Sequence, residues 1–372
     1  MGTMTTRIEA SGLEEVVAAT TRLSDVDGEH GRLVIAGYAV EDIAGSVPFE
    51  DALHLLFRGT LPTAVQRAAL RDALGEAREA AFDRIGELGD ALALPDAMDA
   101  LRASVAHLGV VPGEEPLAEA VRIVSAVAVF AAAWPRGASP LRPDPRLPHA
   151  ADYLRMITAR TPTAPEVAAL DAYLVTVIDH GMNASTFAAR VVASTASDTV
   201  SAVVAAIGAL KGKLHGGAPG PVLDMLDAIG EPERARAWVT SALGRGERVM
   251  GMGHRVYRVR DPRAFVLERA IAELEASSDA SSPIGRRLAL ARAVEREAEA
   301  LLAARHPDRP LKANVEFYTA VLLEALGLPR TLFTPTFASS RAAGWCAHVD
   351  EQRTHGRLIR PKSRYVETGV RA

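Results

Sequence analysis

Three histidines in the 372-residue chain sit beside glycine, at points where helical sequence breaks off. They are His180 in Asp179-His180-Gly181-Met182-Asn183, His215 in Leu214-His215-Gly216-Gly217, and His254 in Gly253-His254-Arg255-Val256-Tyr257. Glycine has no Cβ, so a ligand can approach the backbone there and a positive φ is readily adopted. Imidazole titrates near neutrality, which suits proton transfer or the polarisation of a carbonyl. Taken singly, each histidine also fits a structural or surface role. Three arginines add a second theme. Arg263 follows Asp261-Pro262, Arg341 lies in Ser339-Ser340-Arg341-Ala342-Ala343-Gly344-Trp345, and Arg360 lies in Leu358-Ile359-Arg360-Pro361. A guanidinium on an apolar helix face is costly unless paired, and a carboxylate is its bidentate partner. For Arg341 a bound anion and a structural salt bridge are equally good accounts; in isolation Arg263 and Arg360 read as salt-bridge residues. Glu316, in Asn314-Val315-Glu316-Phe317-Tyr318, is a carboxylate among apolar and aromatic neighbours. Burial there raises proton affinity toward that of a general base, although an ordinary helix N-terminal acid is the simpler account of that residue alone.

The elements that must hold these side chains are mainly helical. Apolar residues recur at helical spacing over 49–58, 62–81, 95–108, 116–133, 165–178, 199–211, 219–228, 231–244, 262–277, 284–305, 312–326 and 335–351. One strand pair is legible: β-rich runs at 21–24 and 32–36 flank an Asp27-Gly28 step, which predicts a hairpin. Five prolines between 134 and 148 predict a surface loop. No repeat or heptad run is present, and breaks are short, so any domains share hinges rather than a flexible linker.

With 48% hydrophobic and 24% charged residues the composition is that of a globular protein, and a net charge of −4 gives no reason to expect nucleic acid or an anionic membrane as partner. The single cysteine, Cys346, cannot form an internal disulfide and fits a cytoplasmic setting; in Gly344-Trp345-Cys346-Ala347 it reads as a small buried hydrophobe rather than a nucleophile. No apolar run of the ~20 residues a membrane span needs is expected. The opening residues lack the blocks of a signal peptide, and a loose myristoylation match at Gly2 is short enough to arise by chance.

Taken together, Leu214-His215-Gly216-Gly217-Ala218, Gly253-His254-Arg255-Val256-Tyr257 with Asp261-Pro262-Arg263, Asn314-Val315-Glu316-Phe317-Tyr318, and Arg341-Ala342-Ala343-Gly344-Trp345 resemble the signature blocks of citrate synthases, in the family's order and at similar spacing. Asp179-His180 with Asn183-Ala184-Ser185-Thr186 resembles a fifth block and Arg360-Pro361 a sixth; the match is close over 171–364 and 11–60 and weak over 75–165.

The resemblance implies a fold and a set of roles. The fold is all-α with a short N-terminal β-hairpin: a large helical domain (1–216 and 328–372) and a small one (217–327) that closes over the site, the break at His215-Gly216-Gly217 acting as hinge. The catalytic residues are His215 (thioester oxygen), His254 (keto group) and Glu316 (methyl proton). His180, Arg263, Arg341 and Arg360 bind oxaloacetate, with Arg360 reaching the neighbouring site of a homodimer, and Arg258, Arg309 and Lys312 meet CoA. No metal and no cofactor beyond the CoA thioester substrate is implied. Two departures stand out: the family's base is aspartate where this chain has Glu316, and Gly181-Met182 stands where many relatives carry glutamate after the histidine. A 2-methylcitrate synthase using propionyl-CoA is the near alternative. A metallohydrolase on the three histidines lacks any short metal-ligand spacing, and a non-catalytic relative would rest on the Glu316 change alone.

Overall fold

The computed structural model describes residues 12–13, 16–137, 139–216, 219–253, 257, 259–277, 283–307, 311–363 and 365. Within them the strands are β1 (Ser24–Asp27), β2 (Arg32–Ile35) and β3 (Tyr38–Ala39), and the helices are α1 (Val40–Ile43), α2 (Phe49–Arg58), α3 (Ala64–Asp83), α4 (Ala97–Ala106), α5 (Pro116–Ala133), α6 (His149–Thr158), α7 (Ala164–Val177), α8 (Ala184–Ala193), α9 (Thr199–Leu210), α10 (Pro219–Ile229), α11 (Ala235–Gly244), α12 (Pro262–Ala276), α13 (Pro283–Arg305), α14 (Val315–Ala325) and α15 (Phe333–His355). The protein is mainly helical, as the sequence predicts.

The strands form one antiparallel sheet in the order β1-β2-β3, with Ser24 opposite Ile35 and Asp27 opposite Arg32. The expected first strand at 21–24 is corrected to Ser24–Asp27: Asp27 accepts the Glu29 and His30 N–H groups at 3.1 Å each, and Gly31 takes φ +65°, so the turn begins after Asp27. Helices α6 and α8 go beyond the sequence reading, and the proline-rich loop is interrupted early by a 3-10 turn at Trp134–Arg136.

Local chemistry sets the helix starts. Thr63 and Gln66 close a reciprocal capping box on α3, and Thr163 and Glu166 do the same on α7. Glu115 caps α5 through the Leu117 and Ala118 N–H groups, with Pro116 in its first turn. From Ile123 onward α5 carries no charge and is buried on every face, packing against α3 and α15. The expectation that no segment has the length and composition of a membrane span is thereby corrected: the 21-residue stretch Pro116–Arg136 meets both, because Glu119 and Arg122 are too few to break it, and 72% of its apolar window is buried inside the protein.

Helix α15 positions the site. It is buried along most of its length and contacts α5, α7, α8 and α9. Gly344 lets it press on the end of α7, where a Cβ would stand 2.4 Å from the Ile178 carbonyl oxygen. That approach brings Arg341 and His348 beside Val177 and Asp179. Burying a large apolar side chain contributes roughly 1.5–3 kcal/mol. Phe333, Trp345 and Val349 together therefore offset the several kcal/mol of burying one under-paired guanidinium on the same helix. Cys346 is buried there as a small hydrophobe, and burial holds its thiol far above the usual range.

Candidate active site

Asp179, at the end of α7, has a buried carboxylate that accepts Ser24 Oγ at 2.5 Å and His348 Nε2 at 3.1 Å. His348 Nδ1 in turn accepts Arg190 Nε at 2.9 Å, and Arg190 also meets Glu351 and Gln352. Burial alone would raise the Asp179 carboxyl; His348, Arg341 and Ser24 outweigh it and hold the group at about 2. Ser24 Oγ also accepts the Gly181 N–H at 2.8 Å. The backbone on both sides of His180 is thus fixed.

Asn183 caps α8 by accepting the Ser185 and Thr186 N–H groups. This aims Ser185 Oγ at His215 Nε2, 2.8 Å away, and Trp345 Nε1–H donates to the same oxygen at 3.2 Å. His215 follows α9 and is half-buried; burial, and secondarily the Arg341 charge, depress it to about 4, so the ring is neutral at physiological pH.

On the facing side, Asp261 caps α12 through the Arg263 N–H and holds the buried Arg263 guanidinium by two bonds, Nε at 3.0 Å and Nη2 at 2.9 Å. The Arg263 guanidinium carbon stands 5.7 Å over the Tyr257 ring, and Tyr257 Oη lies 3.0 Å from His180 Nε2. Arg341 is buried in α15; its Nε donates to the Val177 carbonyl at 2.7 Å and its guanidinium lies 4.6 Å over Phe337. Among the described residues no carboxylate lies within ion-pair range of Arg341. Burial depresses it to about 10, with Asp179 opposing and Arg263 adding to the shift.

Glu316 lies in the first turn of α14, capped by Asn314. Desolvation raises its carboxyl to about 7, Arg263 and Arg341 pulling down and Asp261 pushing up. The Asn314 cap is tied to the loop ahead of α12: Asn314 N–H donates to the Gly251 carbonyl at 2.9 Å and Asn314 Nδ2 to the Gly253 carbonyl at 2.7 Å. Gly251 and Gly253 both have φ near +75°, and a Cβ on Gly251 would stand 2.8 Å from Phe317, so glycine is required where this loop crosses α14. Asn314 and Glu316 form one wall of a cavity of about 640 Å³ whose other walls are the 247–253 loop, Leu302, His306 and Leu311. That volume suits a sizeable ligand.

The structure therefore brings His215, Arg263, Arg341 and Glu316 into one electrostatic neighbourhood, with two guanidiniums and a carboxyl that feel one another, and His180 reaches it through Tyr257. Arg360 does not join it within the chain: it is exposed in the segment after α15, whose Ile359 N–H donates to Ser194 Oγ at 3.0 Å. The Lys312 side chain pairs with Glu299 at 2.6 Å, and only its carbonyl, which accepts the Gly253 N–H at 2.7 Å, supports the cavity loop. His254, Arg258 and Arg309 lie outside the described residues. Among the described residues no three His, Cys, Asp or Glu side chains are arranged to share a metal ion. Sequence reasoning missed Ser185, Tyr257, Asp261, Trp345 and His348, which touch the named residues from other segments; only Asp261, ahead of Pro262 at a helix start, carried a local signal.

The profile of the citrate synthase family, described as citrate synthase, C-terminal domain, matches residues 12–362. A citrate synthase of Haloferax volcanii is 40% identical over 95% of this chain and 94% of that protein. A 2-methylcitrate synthase of Mycobacterium tuberculosis is 36% identical over 95% of this chain and 89% of its own length. The crystal structure of citrate synthase from Thermoplasma acidophilum, a ternary complex with carboxymethyl coenzyme A and oxaloacetate, superposes with a TM-score of 0.85 at 29% identity, covering 97% of each chain. The fold is that of the helical citrate synthases. This chain belongs to the citrate synthase family.

Proposed function

We propose that this chain condenses acetyl-CoA with oxaloacetate and water to give citrate and CoA. The observation that carries the reading is Glu316: a desolvated carboxyl poised at about 7, on the wall of a thioester-sized cavity and within the fields of Arg263 and Arg341. The methyl group of a thioester is a weak carbon acid. In this reading Glu316 takes its proton, the C–H electron pair becomes the enol C=C, and the thioester oxygen receives a hydrogen bond from neutral His215. The Ser185 hydroxyl donates to Asn183 Oδ1 at 2.8 Å in the structure; for the donor role it turns to His215 Nε2, also 2.8 Å away, leaving Nδ1–H for the oxygen. The enol carbon then attacks the keto carbon of oxaloacetate, whose oxygen is bound and polarised by His254 on the strength of the resemblance and takes up a proton as the bond forms. Water finally cleaves the citryl thioester. A positioned base contributes roughly 10²–10⁴-fold and one oxyanion donor roughly 3–4 kcal/mol.

Oxaloacetate carries two carboxylates. His180, Arg263 and Arg341 bind them in this proposal, and Arg360 reaches in from a second copy, making the working form a cytoplasmic homodimer. The segment 217–327 is the small domain that closes over 1–216 and 328–372, and the packing of α12 against α7 forms the seam between them. No cofactor beyond the CoA substrate enters these steps.

A thiol-release assay with oxaloacetate and a panel of acyl-CoAs tests the reading. Oxaloacetate-dependent CoA release from acetyl-CoA supports it; none with any thioester ends it. The 36% identity to a 2-methylcitrate synthase favours a second reading, propionyl-CoA as substrate. One methylene discriminates by only about 1–3 kcal/mol, so the ratio of kcat/KM for the two thioesters decides between them.

A further inference from the structure

Tyr173, on α7, is fully buried, and among the described residues its hydroxyl has no hydrogen-bond partner. A phenol left unpaired in the interior is costly, and nearly all buried polar groups are paired. One helical turn on, on the same face of α7, the Val177 carbonyl accepts Arg341 Nε at 2.7 Å. Glu316 lies in the first turn of α14, which packs against α7. Asn314 holds the Glu316 N–H at 3.0 Å, yet among the described residues the Glu316 carboxyl makes no hydrogen bond or ion pair. Of the groups whose fields reach the Tyr173 phenol, Glu316 acts most strongly, ahead of Tyr153, Arg341 and Arg263. A donor without an acceptor on α7 thus stands close to an acceptor without a donor on α14.

We propose that Tyr173 is a positioning residue for the base: when segment 217–327 closes on the rest of the chain, its hydroxyl donates to the ionised Glu316 carboxylate and fixes the direction from which that carboxylate takes the thioester proton. The inference rests on the reading of Glu316 as the base, and Tyr173 itself touches no reacting atom. Burial, and then the Glu316 charge, hold the phenol far above its ordinary value, so its hydrogen stays on the oxygen. The phenol has one hydrogen to give and the carboxylate has two oxygens. One oxygen takes the Tyr173 bond, and the other stays free for the proton that leaves the methyl carbon. Glutamate carries its carboxyl on three side-chain torsions, and a bond to a residue packed inside a helix layer restrains them where a misplacement of about 1 Å is expensive. The charged groups that face Glu316 from other elements are Arg263 and Asp261 at the start of α12 and Arg341 of α15. Arg263 is held by Asp261, and Arg341 donates its Nε to Val177. Tyr173 is the neutral donor in this group, and a bond from it to the ionised carboxylate lowers that group's proton affinity.

The test is Tyr173→Phe, which removes the oxygen and keeps the ring, measured in the full chain by thiol release from acetyl-CoA with oxaloacetate across the pH range. Its kcat above neutrality should fall about tenfold, with the KM of each substrate within about twofold of the wild type. The ascending limb of its pH–rate profile should move up by about one pH unit, because the ionised carboxylate has lost a donor. Its Tm without substrates should equal or exceed that of the wild type, since the hydroxyl removed had no partner there. A slower enzyme that is no less stable is not the result of lost packing. In a Glu316→Gln background the same substitution should change the residual rate by less than about twofold, because the carboxylate that Tyr173 positions is gone. An unchanged kcat, a stationary ascending limb, a lowered Tm, or an equal tenfold loss in the Glu316→Gln background overturns the proposal while leaving Glu316 as the base. A wild-type chain without oxaloacetate-dependent thiol release, or a Glu316→Gln chain as fast as the wild type, removes the reading of Glu316 and the proposal with it.

Discussion

His348 gives its Nε2–H to the buried Asp179 carboxylate at 3.1 Å, and its Nδ1 takes N–H bonds from Arg190. Both ring nitrogens are committed, and the Asp179 carboxylate and the Arg190 guanidinium are joined through the ring. Asp179 sits at about 2, against 3.8 for an ordinary aspartate. A depressed carboxylate stabilises the fold above its unfolded value, and that term is lost as pH falls from about 4 to about 2. The linkage is about 2 kcal/mol. Urea unfolding between pH 5 and pH 2 should show the wild type losing about that much more than Asp179→Asn. At pH 7, His348→Leu should cost about 3–5 kcal/mol, because it leaves two buried charges without their bridge; a change below 1 kcal/mol would show that the relay is dispensable.

Glu316 has the opposite sign. Its carboxyl is raised to about 7, so the folded chain holds this proton more tightly than the unfolded chain. Stability from this group is full below about 4.5 and declines as pH rises through about 7, whereas a base must be ionised to act. Condensation should therefore climb with pH up to about 7 and level off. Glu316→Gln should lower kcat by at least about 10²-fold, keep the KM for oxaloacetate within a few-fold, and melt at a higher temperature than the wild type at pH 8. A pH–rate profile flat from 5.5 to 8 would move the base elsewhere.

The helix count and order were largely legible because apolar spacing is a local property, and α2, α5, α12 and α13 start within a residue of their expected limits. What escaped was set by contacts distant in sequence. Helix α6 has an apolar face, but the prolines before it dominate the reading, and the pairing of Asp152 with Arg78 and Arg155 that anchors it is distant in sequence or specific to the fold. Helix α8 was hidden because Asn183-Ala184-Ser185-Thr186 reads as a site block; its asparagine is also the helix cap. Histidine and arginine types at glycine breaks singled out His180, His215, Arg263 and Arg341, which the fold brings near one another, yet Tyr257, Ser185 and His348 gain their contacts only when α7, α8, α12 and α15 are packed. Arg360 is the converse case, a motif residue that one folded chain leaves exposed.

Arg341 is a buried cation with a backbone carbonyl and an aromatic face as its partners, depressed to about 10. Such a charge is costly to bury with so little pairing, and an anionic ligand would relieve that cost. Arg341→Leu should therefore melt at or above the wild-type temperature in buffer alone. Saturating oxaloacetate should raise the wild-type Tm, by the equivalent of about 2.7 kcal/mol at a hundredfold excess over Kd, and leave Arg341→Leu unmoved. Scanning calorimetry with and without oxaloacetate reads both; an equal ligand-induced rise in the two proteins would separate Arg341 from the anion.

The last test concerns the contact that lets α15 reach the site. A Cβ at Gly344 would lie 2.4 Å from the Ile178 backbone carbonyl oxygen, just after α7, and 3.0 Å from Asp179 Oδ1, whose side chain is held by Ser24 and His348. Backbone cannot rotate away as a flexible side chain can, so Gly344→Ala has to separate the two helices. Arg341 then moves relative to Val177, and His348 relative to Asp179. Overpacking of this kind costs about 1–3 kcal/mol, and a displacement near 1 Å at a binding group lowers rates on the order of 10²-fold. The cavity wall formed by the 247–253 loop, Asn314 and Glu316 does not include α15. Gly344→Ala should accordingly raise the KM for oxaloacetate and lower kcat while the KM for the thioester holds within about twofold. Steady-state kinetics with each substrate varied in turn reads the split, and an equal rise in both KM values would mean that the whole protein, not the α7–α15 contact, has been loosened.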